Sequence, residues 1–276
     1  MTRKPVLITG ASSGIGYYCA KKLSKNSSYQ VYATVRDEKD YKRLTRDGLN
    51  VLYLDLNSND SIKECSKEFL SKTNGKIYAL FNNAGYGQPG AVEDISDKAL
   101  KEQFQTNFFG LHSLTREFLP VMREQGFGRI INHSSVLGFI SLRFRGAYNA
   151  SKYALEGLSD TLRLELMDSD IWVSLIETGP VRSDFRKNAL KKFLENIDRQ
   201  NSYFKNEYAK KLESLQSEKD VPFTLGADAV YEVFLKALEA KEPKPRYRVT
   251  KVTTMLWFLK RVLSTKRLDK VLRSIE

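Results

Sequence analysis

Tyr148 and Lys152 stand four residues apart, which on a helix puts them on one face about one turn from each other. The pair suits proton transfer. A phenol is a poor base near neutrality because its pKa is about 10, and an ammonium beside it favours the phenolate. Together they could trade a proton with an oxygen whose carbon gains or loses hydride. Ser135 lies thirteen residues before Tyr148, just past an apolar run, where its hydroxyl could steady that oxygen. Ser134 is its neighbour, and only the spacing to the tyrosine separates the two. Each residue alone has a plainer reading: a mid-helix Tyr is usually packing, and a Ser pair often ends a strand.

What raises their joint weight is a glycine cluster far upstream. Thr9-Gly10-Ala11-Ser12-Ser13-Gly14-Ile15-Gly16 follows a short apolar run and opens a helical pattern. Glycines permit the tight turn and let the backbone approach a pyrophosphate, while the helix N-terminus offers unpaired N–H groups. A glycine cluster is a weak signal until strand and helix flank it, as here. At the end of the next apolar run stands Val35 and then Arg36. An acidic residue there would bond the ribose 2′-hydroxyl of NAD and repel the extra phosphate of NADP. A guanidinium would instead fork onto that phosphate, with Ser12 or Ser13 adding a hydroxyl. NADP(H) is the expected cofactor, provided the strand ends at Val35; Asp37 comes next and would reverse the argument if the strand ran one residue longer.

The glycine spacing is Gly-x3-Gly-x-Gly, and it is followed in order by Asp55, Asn82-Asn83-Ala84-Gly85, Asn107, Ser135, Tyr148 and Lys152. This series, from about Pro5 to Asp184, resembles the short-chain dehydrogenase/reductase family, and within it the steroid and retinol dehydrogenases and bacterial NADP-dependent aldehyde reductases. The resemblance implies that Gly10, Ser12, Ser13, Gly14 and Gly16 cradle the cofactor and that Ile15 meets its nicotinamide half. Asp55, with Leu56, would meet the adenine, and Asn83, Ala84 and Gly85 the adenosine ribose and the central sheet. Lys152 would hold the nicotinamide ribose beside Tyr148, and Asn107 a water linking Lys152 to solvent. On residue type alone Asp55 reads as a turn carboxylate. Gly179, Pro180, Val181 and Ser183 resemble the family's loop that holds the nicotinamide carboxamide. Thr178 departs from the usual proline, and Ser183 from the usual threonine while keeping its hydroxyl.

The elements that must position these residues alternate. Apolar runs at 6–9, 31–35, 51–54, 77–81, 129–133 and 171–176 read as strands, and helical spacing appears around 38–46, 60–72, 97–124 and 148–168. Such alternation calls for a parallel sheet covered on both faces, and ligands then bind beyond the strands' carboxyl ends, where most of these motifs fall. The expected fold is α/β, a Rossmann-type doubly wound sheet of about seven strands in one catalytic domain over 1–250. The segment 183–220 is charged and helically spaced, and reads either as a solvated excursion or as a lid over substrate. Walls drawn from Tyr86, Gln88, Val136, Leu137, Phe139, Phe144, Val181 and Phe185 would suit a lipophilic carbonyl or alcohol.

With 41% hydrophobic and 28% charged residues, the composition is that of a globular domain. The net charge of +12 is not a general basicity: eleven Lys/Arg against three Asp/Glu from Lys241 to Glu276 account for +8 of it. This distribution argues against nucleic acid as the partner. The stretch 251–276 combines those cations with an apolar stripe containing Trp257 and Phe258. Such a helix can lie on a membrane surface, or pack over the substrate cleft or a second subunit. Cys19 and Cys65 form no metal or redox motif, and with no signal-peptide core or membrane span a cytoplasmic protein is expected. His112 and His133 lack an acid partner in the sequence and read as packing residues. The reading is an NADP-dependent alcohol dehydrogenase or carbonyl reductase, in a fold that often forms homodimers or homotetramers; its rival is a noncatalytic NADP-binding scaffold or redox sensor.

Overall fold

The computed structural model describes residues 3–216 and 222–275, so the last residues of the expected lid, 217–220, and Glu276 of the basic stretch lie outside the described residues. Seven strands form one parallel sheet in the order β3-β2-β1-β4-β5-β6-β7. They are β1 Lys4–Ile8, β2 Tyr29–Val35, β3 Asn50–Tyr53, β4 Ala79–Asn82, β5 Gly128–Ser135, β6 Ile171–Thr178 and β7 Arg246–Arg248. From β1 the chain winds outward through β2 and β3, then returns to lay β4 on the other side of β1. The crevice beyond the ends of β1 and β4 is therefore the topological switch point where this kind of sheet takes its ligand.

The strands are apolar on both faces because helices cover both. Val6 and Ile8 of β1, Val31 and Ala33 of β2, and Ala79 and Phe81 of β4 face one core. That core is closed by α1 (Gly14–Leu23), α2 (Glu38–Arg46) and α9 (Ala227–Glu239). The alternate residues Leu7, Tyr32 and Leu80 face a second core with α3 (Asn59–Lys72) and α5 (Gly110–Gln125), as the period of two requires.

The single helix expected over 97–124 is three pieces: α4 (Asp97–Phe104), a π-helical turn Gln105–Phe109, and α5. At the start of α5, a Cβ on Gly110 would collide with the Leu56 carbonyl oxygen. The close approach fixes the widened turn against the β3 loop, and such turns tend to occur at functional sites. Tyr148 and Lys152 ride on α6 (Gly146–Glu165). The excursion after β6 is α7 (Phe185–Asn196) and α8 (Lys205–Gln216), and the basic end of the chain is α10 (Lys251–Val262) and α11 (Thr265–Ser274).

β7, α9 and the division of the C-terminal stretch into two helices go beyond what the hydropathy pattern predicts. β7 is only Arg-Tyr-Arg, too short and too charged to register as an apolar run. Its arginines are neutralised by buried acids, described below.

Candidate active site

The glycine turn connects β1 to α1 with Gly10 at φ +66° and Gly14 at φ +55°, left-handed conformations that side chains resist. Space also demands glycine: a Cβ on Gly10 would lie 2.7 Å from Ala84 Cα, and one on Gly16 would overlap the Gly10 carbonyl oxygen. Thr9 Oγ1 accepts from the backbone N–H groups of Asn83 and Ala84, each at 3.0 Å, and Asn83 Nδ2 donates to the Thr9 and Gly10 carbonyls at 2.9 and 3.2 Å. The turn after β4 is thereby tied to the turn after β1. Ser13 is the N-cap of α1 but its side chain caps nothing, and the first turn holds no acid. The open N-terminus of α1 thus has the donors, the dipole and the close backbone that a pyrophosphate needs.

β2 ends at Val35, and Asp37 is the N-cap of α2, its Oδ1 accepting from Asp40 N at 2.9 Å. The carboxylate that could have repelled a 2′-phosphate is thus turned into its own helix, and Arg36 is the exposed residue at the strand end. Arg43, which no sequence motif singles out, donates from Nη2 to the Ser12 carbonyl and pairs with Asp40, fastening α2 to the glycine turn. Asp55 sits in a turn, its Oδ1 accepting from Asn57 N at 3.0 Å and Asn57 Nδ2 at 2.9 Å, as its residue type suggested. Leu56 is buried in the second core.

Tyr148, Lys152, Ser135 and Asn107 are all buried and converge at the carboxyl end of the sheet. The Tyr148 hydroxyl is hydrogen-bonded with Ser135, whose Oγ also accepts from Leu137 N at 3.1 Å. Ser134 points elsewhere, to Glu156, so geometry separates the two serines that sequence left side by side. Lys152 Nζ lies 5.7 Å from the Tyr148 ring centroid and donates to the His133 carbonyl at 2.7 Å. Asn107, in the π-helical turn, accepts from Tyr86 N at 3.1 Å and donates to the Tyr86 carbonyl at 2.9 Å and to Ser151 Oγ at 3.3 Å.

Burial sets the electrostatics. It pushes the Tyr148 phenol up to about 12, against the hydrogen bond with Ser135 and the nearby Arg145 charge, which pull it down. The sequence points to Lys152 as the chief lowering influence. Instead its ammonium turns to the His133 carbonyl, and burial brings the lysine itself down to about 8 against the upward pull of Glu156.

His133, expected as inert packing, has a structural part. Its Nδ1 lies 2.9 Å from Asn83 Oδ1 and its Nε2 lies 3.3 Å from Thr178 Oγ1. Asn83 Nδ2 is already donating to the glycine turn, so Asn83 Oδ1 accepts from His133 Nδ1–H. Burial, then the Lys152 charge, drives the ring down to about 3, so it stays neutral at ordinary pH. Thr178, standing where a proline was expected, thus supplies a hydroxyl to a chain running from the end of β6 to the glycine turn.

The loop after β6 closes the cleft. Ser183 Cβ would lie 3.2 Å from a Cβ on Gly14, which brings this loop against the glycine turn. The base of the excursion is stitched by Arg182 N donating to the Leu225 carbonyl at 2.8 Å and Leu225 N to the Pro180 carbonyl at 3.1 Å. Gly179 is pressed against Thr250, the N-cap of α10. Phe185, opening α7, packs edge-on to Tyr148 with ring centroids 5.2 Å apart. Phe144, at φ +59°, packs on Phe204 and Tyr208 of the excursion. Gln88 is fully buried and bonded to Gln103, Lys192 and Asn196, so it anchors α7 rather than walling the cleft. The inner faces of α10 and α11 also reach the site, Leu256, Leu268 and Leu272 clustering with Leu137, Ile140 and Tyr148. The C-terminal stretch therefore packs over the cleft, one of the two arrangements its sequence allowed.

Among the described residues, no group of His, Cys, Asp and Glu is arranged to hold a metal ion. No helix among them is long and apolar enough to cross a membrane.

Residues 4–193 match the family model for the short chain dehydrogenases. An uncharacterized oxidoreductase of Escherichia coli, YbbO, is 41% identical over 98% of this chain and 94% of its own length. Human 17-beta-hydroxysteroid dehydrogenase type 1 is 35% identical over 91% of this chain and 78% of its own length. A short chain dehydrogenase/reductase from Burkholderia phymatum, solved with NAD, superposes with a TM-score of 0.78 at 24% identity, covering 94% of this chain and 92% of that one. A serine dehydrogenase solved with NADP+ superposes with a TM-score of 0.75 at 25% identity, covering 90% and 95%.

Proposed function

Because the chain belongs to the short-chain dehydrogenase family, and so is an oxidoreductase of that family, we propose that it interconverts a lipophilic carbonyl compound and its alcohol using NADP(H). One observation carries this reading: the Tyr148 hydroxyl, bonded with Ser135, lies a helical turn from a buried Lys152 at the same sheet edge as the glycine turn. Bound NADPH supplies the hydride. Tyr148 gives its proton to the oxygen that becomes the alcohol, Ser135 steadies that oxygen, and Lys152 holds positive charge behind the phenol. Asn107, fixed on both sides by Tyr86, orders the path by which the proton is replaced.

The apolar ceiling of Leu137, Ile140, Leu256, Leu268 and Phe185 around Tyr148 supports a bulky apolar substrate, and the named steroid activity of the human relative agrees with it. Of the two solved structures named above, one carries NAD and the other NADP+; Arg36, and the engagement of Asp37 as the cap of α2, favour NADP here. The test is consumption of NADPH, and in parallel NADH, with steroid ketones, retinal and aliphatic aldehydes of increasing length. We expect NADPH to be preferred and kcat/KM to rise with chain length; no turnover of any carbonyl with either cofactor would overturn the reading and favour the noncatalytic scaffold.

The outer face of α10 supports a peripheral contact with an anionic bilayer. Met255, Phe258 and Val262 are 50%, 57% and 56% exposed in one row. Around them, residues 251–275 hold Lys251, Lys260, Arg261, Lys266, Arg267, Lys270 and Arg273 against Asp269 alone. Such a face suits anionic headgroups. Wild-type protein is expected to sediment with phosphatidylglycerol vesicles in low salt and to be released by high salt, and Phe258→Glu to lower the bound fraction several-fold. Equal binding to phosphatidylcholine vesicles, or a concentration-dependent dimer lost in Phe258→Glu without vesicle binding, would overturn it, the latter assigning the stripe to a second copy.

A further inference from the structure

Three residues on one face of α6 grip three consecutive residues of β5. Tyr148 bonds with Ser135, Lys152 Nζ donates to the His133 carbonyl at 2.7 Å, and Glu156 accepts from Ser134 Oγ. The first two belong to the proposed chemistry. The third has no part in it, yet it is 8% exposed and lies one helical turn beyond Lys152.

Glu156 is held from behind by β7. Arg246 donates to Glu156 Oε2 from Nε at 3.1 Å and Nη2 at 3.0 Å. The same guanidinium reaches Asp160 Oδ2 at 2.7 Å and Glu177 Oε1 at 3.1 Å. Glu177, the residue before Thr178, pairs on its other oxygen with Arg248 at 3.1 Å, and Arg248 lies 3.9 Å over the Trp257 ring of α10. A chain of charged contacts thus runs from Trp257 of α10 through β7 to Glu156, one helical turn from Lys152.

We propose that Glu156 is a positioning residue for the reaction, the counter-charge that keeps the buried Lys152 ammonium in place behind Tyr148, and that Arg246 sets how strongly it does so. Burial alone disfavours an ammonium, the His133 carbonyl at 2.7 Å accepts from it, and a carboxylate one turn away on the same helix adds an opposing charge. Burial lowers Lys152 to about 8, and Glu156 is the influence that raises it. The other groups facing this region are the neutral His133 of β5, Tyr148 and Asp160 of α6, Arg145 just before α6, Arg163, which pairs with Asp160, Glu177 of β6, and Arg246 and Arg248 of β7. Of these, Arg246 touches Glu156 directly, and removing it takes a positive charge from the neighbourhood.

The inference rests on the proposed reaction and is tested by the pH profile of kcat/KM. Lys152 loses its charge above about pH 8, so activity falls on the alkaline side. Glu156→Gln is expected to move that limb down by about one pH unit, and Arg246→Met to move it up; Glu156→Asp leaves the limb where the wild type has it. A merely structural role would lower activity without moving the limb. If Arg246→Met fails to fold, the two substitutions of Glu156 still decide. The same order of shifts is expected for Lys152 itself, followed by NMR in protein carrying 13C-labelled lysine, a readout that needs no turnover. Limbs and lysine titrations that stay put in Glu156→Gln, or that move in the same direction in Glu156→Gln and Arg246→Met, overturn the inference while leaving the proposed activity intact; absence of turnover in the wild type counts against the activity alone.

Discussion

Tyr148→Phe is expected to lower kcat about a thousandfold while NADPH binds within about twofold of wild type, because general acid–base catalysis by a positioned group is worth roughly 10²–10⁴. The substitution keeps the ring. Its packing against Phe185 and the cluster of Leu137, Leu256 and Leu268 survives, so the fold should lose little. The hydroxyl's partner is not stranded either, since Ser135 Oγ still accepts from Leu137 N at 3.1 Å. A lost neutral hydrogen bond with a satisfied remaining partner costs about 1 kcal/mol, a few degrees in the melting temperature. Steady-state kinetics, fluorescence titration with NADPH and a thermal melt together check this. A Tyr148→Phe variant that reduces carbonyls at wild-type rates would remove Tyr148 from the chemistry.

What can be read from sequence, and what cannot, follows from range. The four-residue interval from Tyr148 to Lys152 is a local property of a helix, and the left-handed glycines at 10 and 14 are local properties of a turn, so both are legible. The sheet is legible for the same reason, since the crossover length between apolar runs constrains the pairing. Asn107 is visible as a residue but not as a place: a π-helical turn differs from an α-helix by one residue, and the turn packs against Leu56, distant in sequence. Ser134 and Ser135 are told apart in the sequence by spacing to Tyr148 alone; the physical difference, Glu156 across from one and Tyr148 from the other, is a long-range one. β7 is invisible because the partners that neutralise Arg246 are acids 69 to 90 positions earlier, Glu156, Asp160 and Glu177, which no window of local hydropathy connects to it. His133 shows the opposite case. It lacks an acid partner, as its sequence context implies, but an amide and a hydroxyl hold it.

Arg36→Asp carries the other large expectation, a loss of about a hundredfold in NADPH affinity with NADH changed no more than a few-fold. Charge-assisted hydrogen bonds to a phosphate contribute about 1.5–3 kcal/mol, and a carboxylate in the same place adds repulsion that only the phosphorylated cofactor feels. The local frame should tolerate the change. Arg36 is exposed at the end of β2, outside the β2–β3 register that ends at Val35 and Tyr53, and α2 keeps its own cap through Asp37 and Asp40. The glycine turn keeps its fastening as well, because Arg43 rather than Arg36 reaches the Ser12 carbonyl. A fall in affinity confined to NADPH therefore reports the 2′-phosphate and not a damaged turn. Calorimetric titration of both cofactors against both proteins separates the cases: parallel weakening would mean the turn had moved, and unchanged NADPH binding would mean that another cation, with Arg43 the nearest candidate, receives the phosphate.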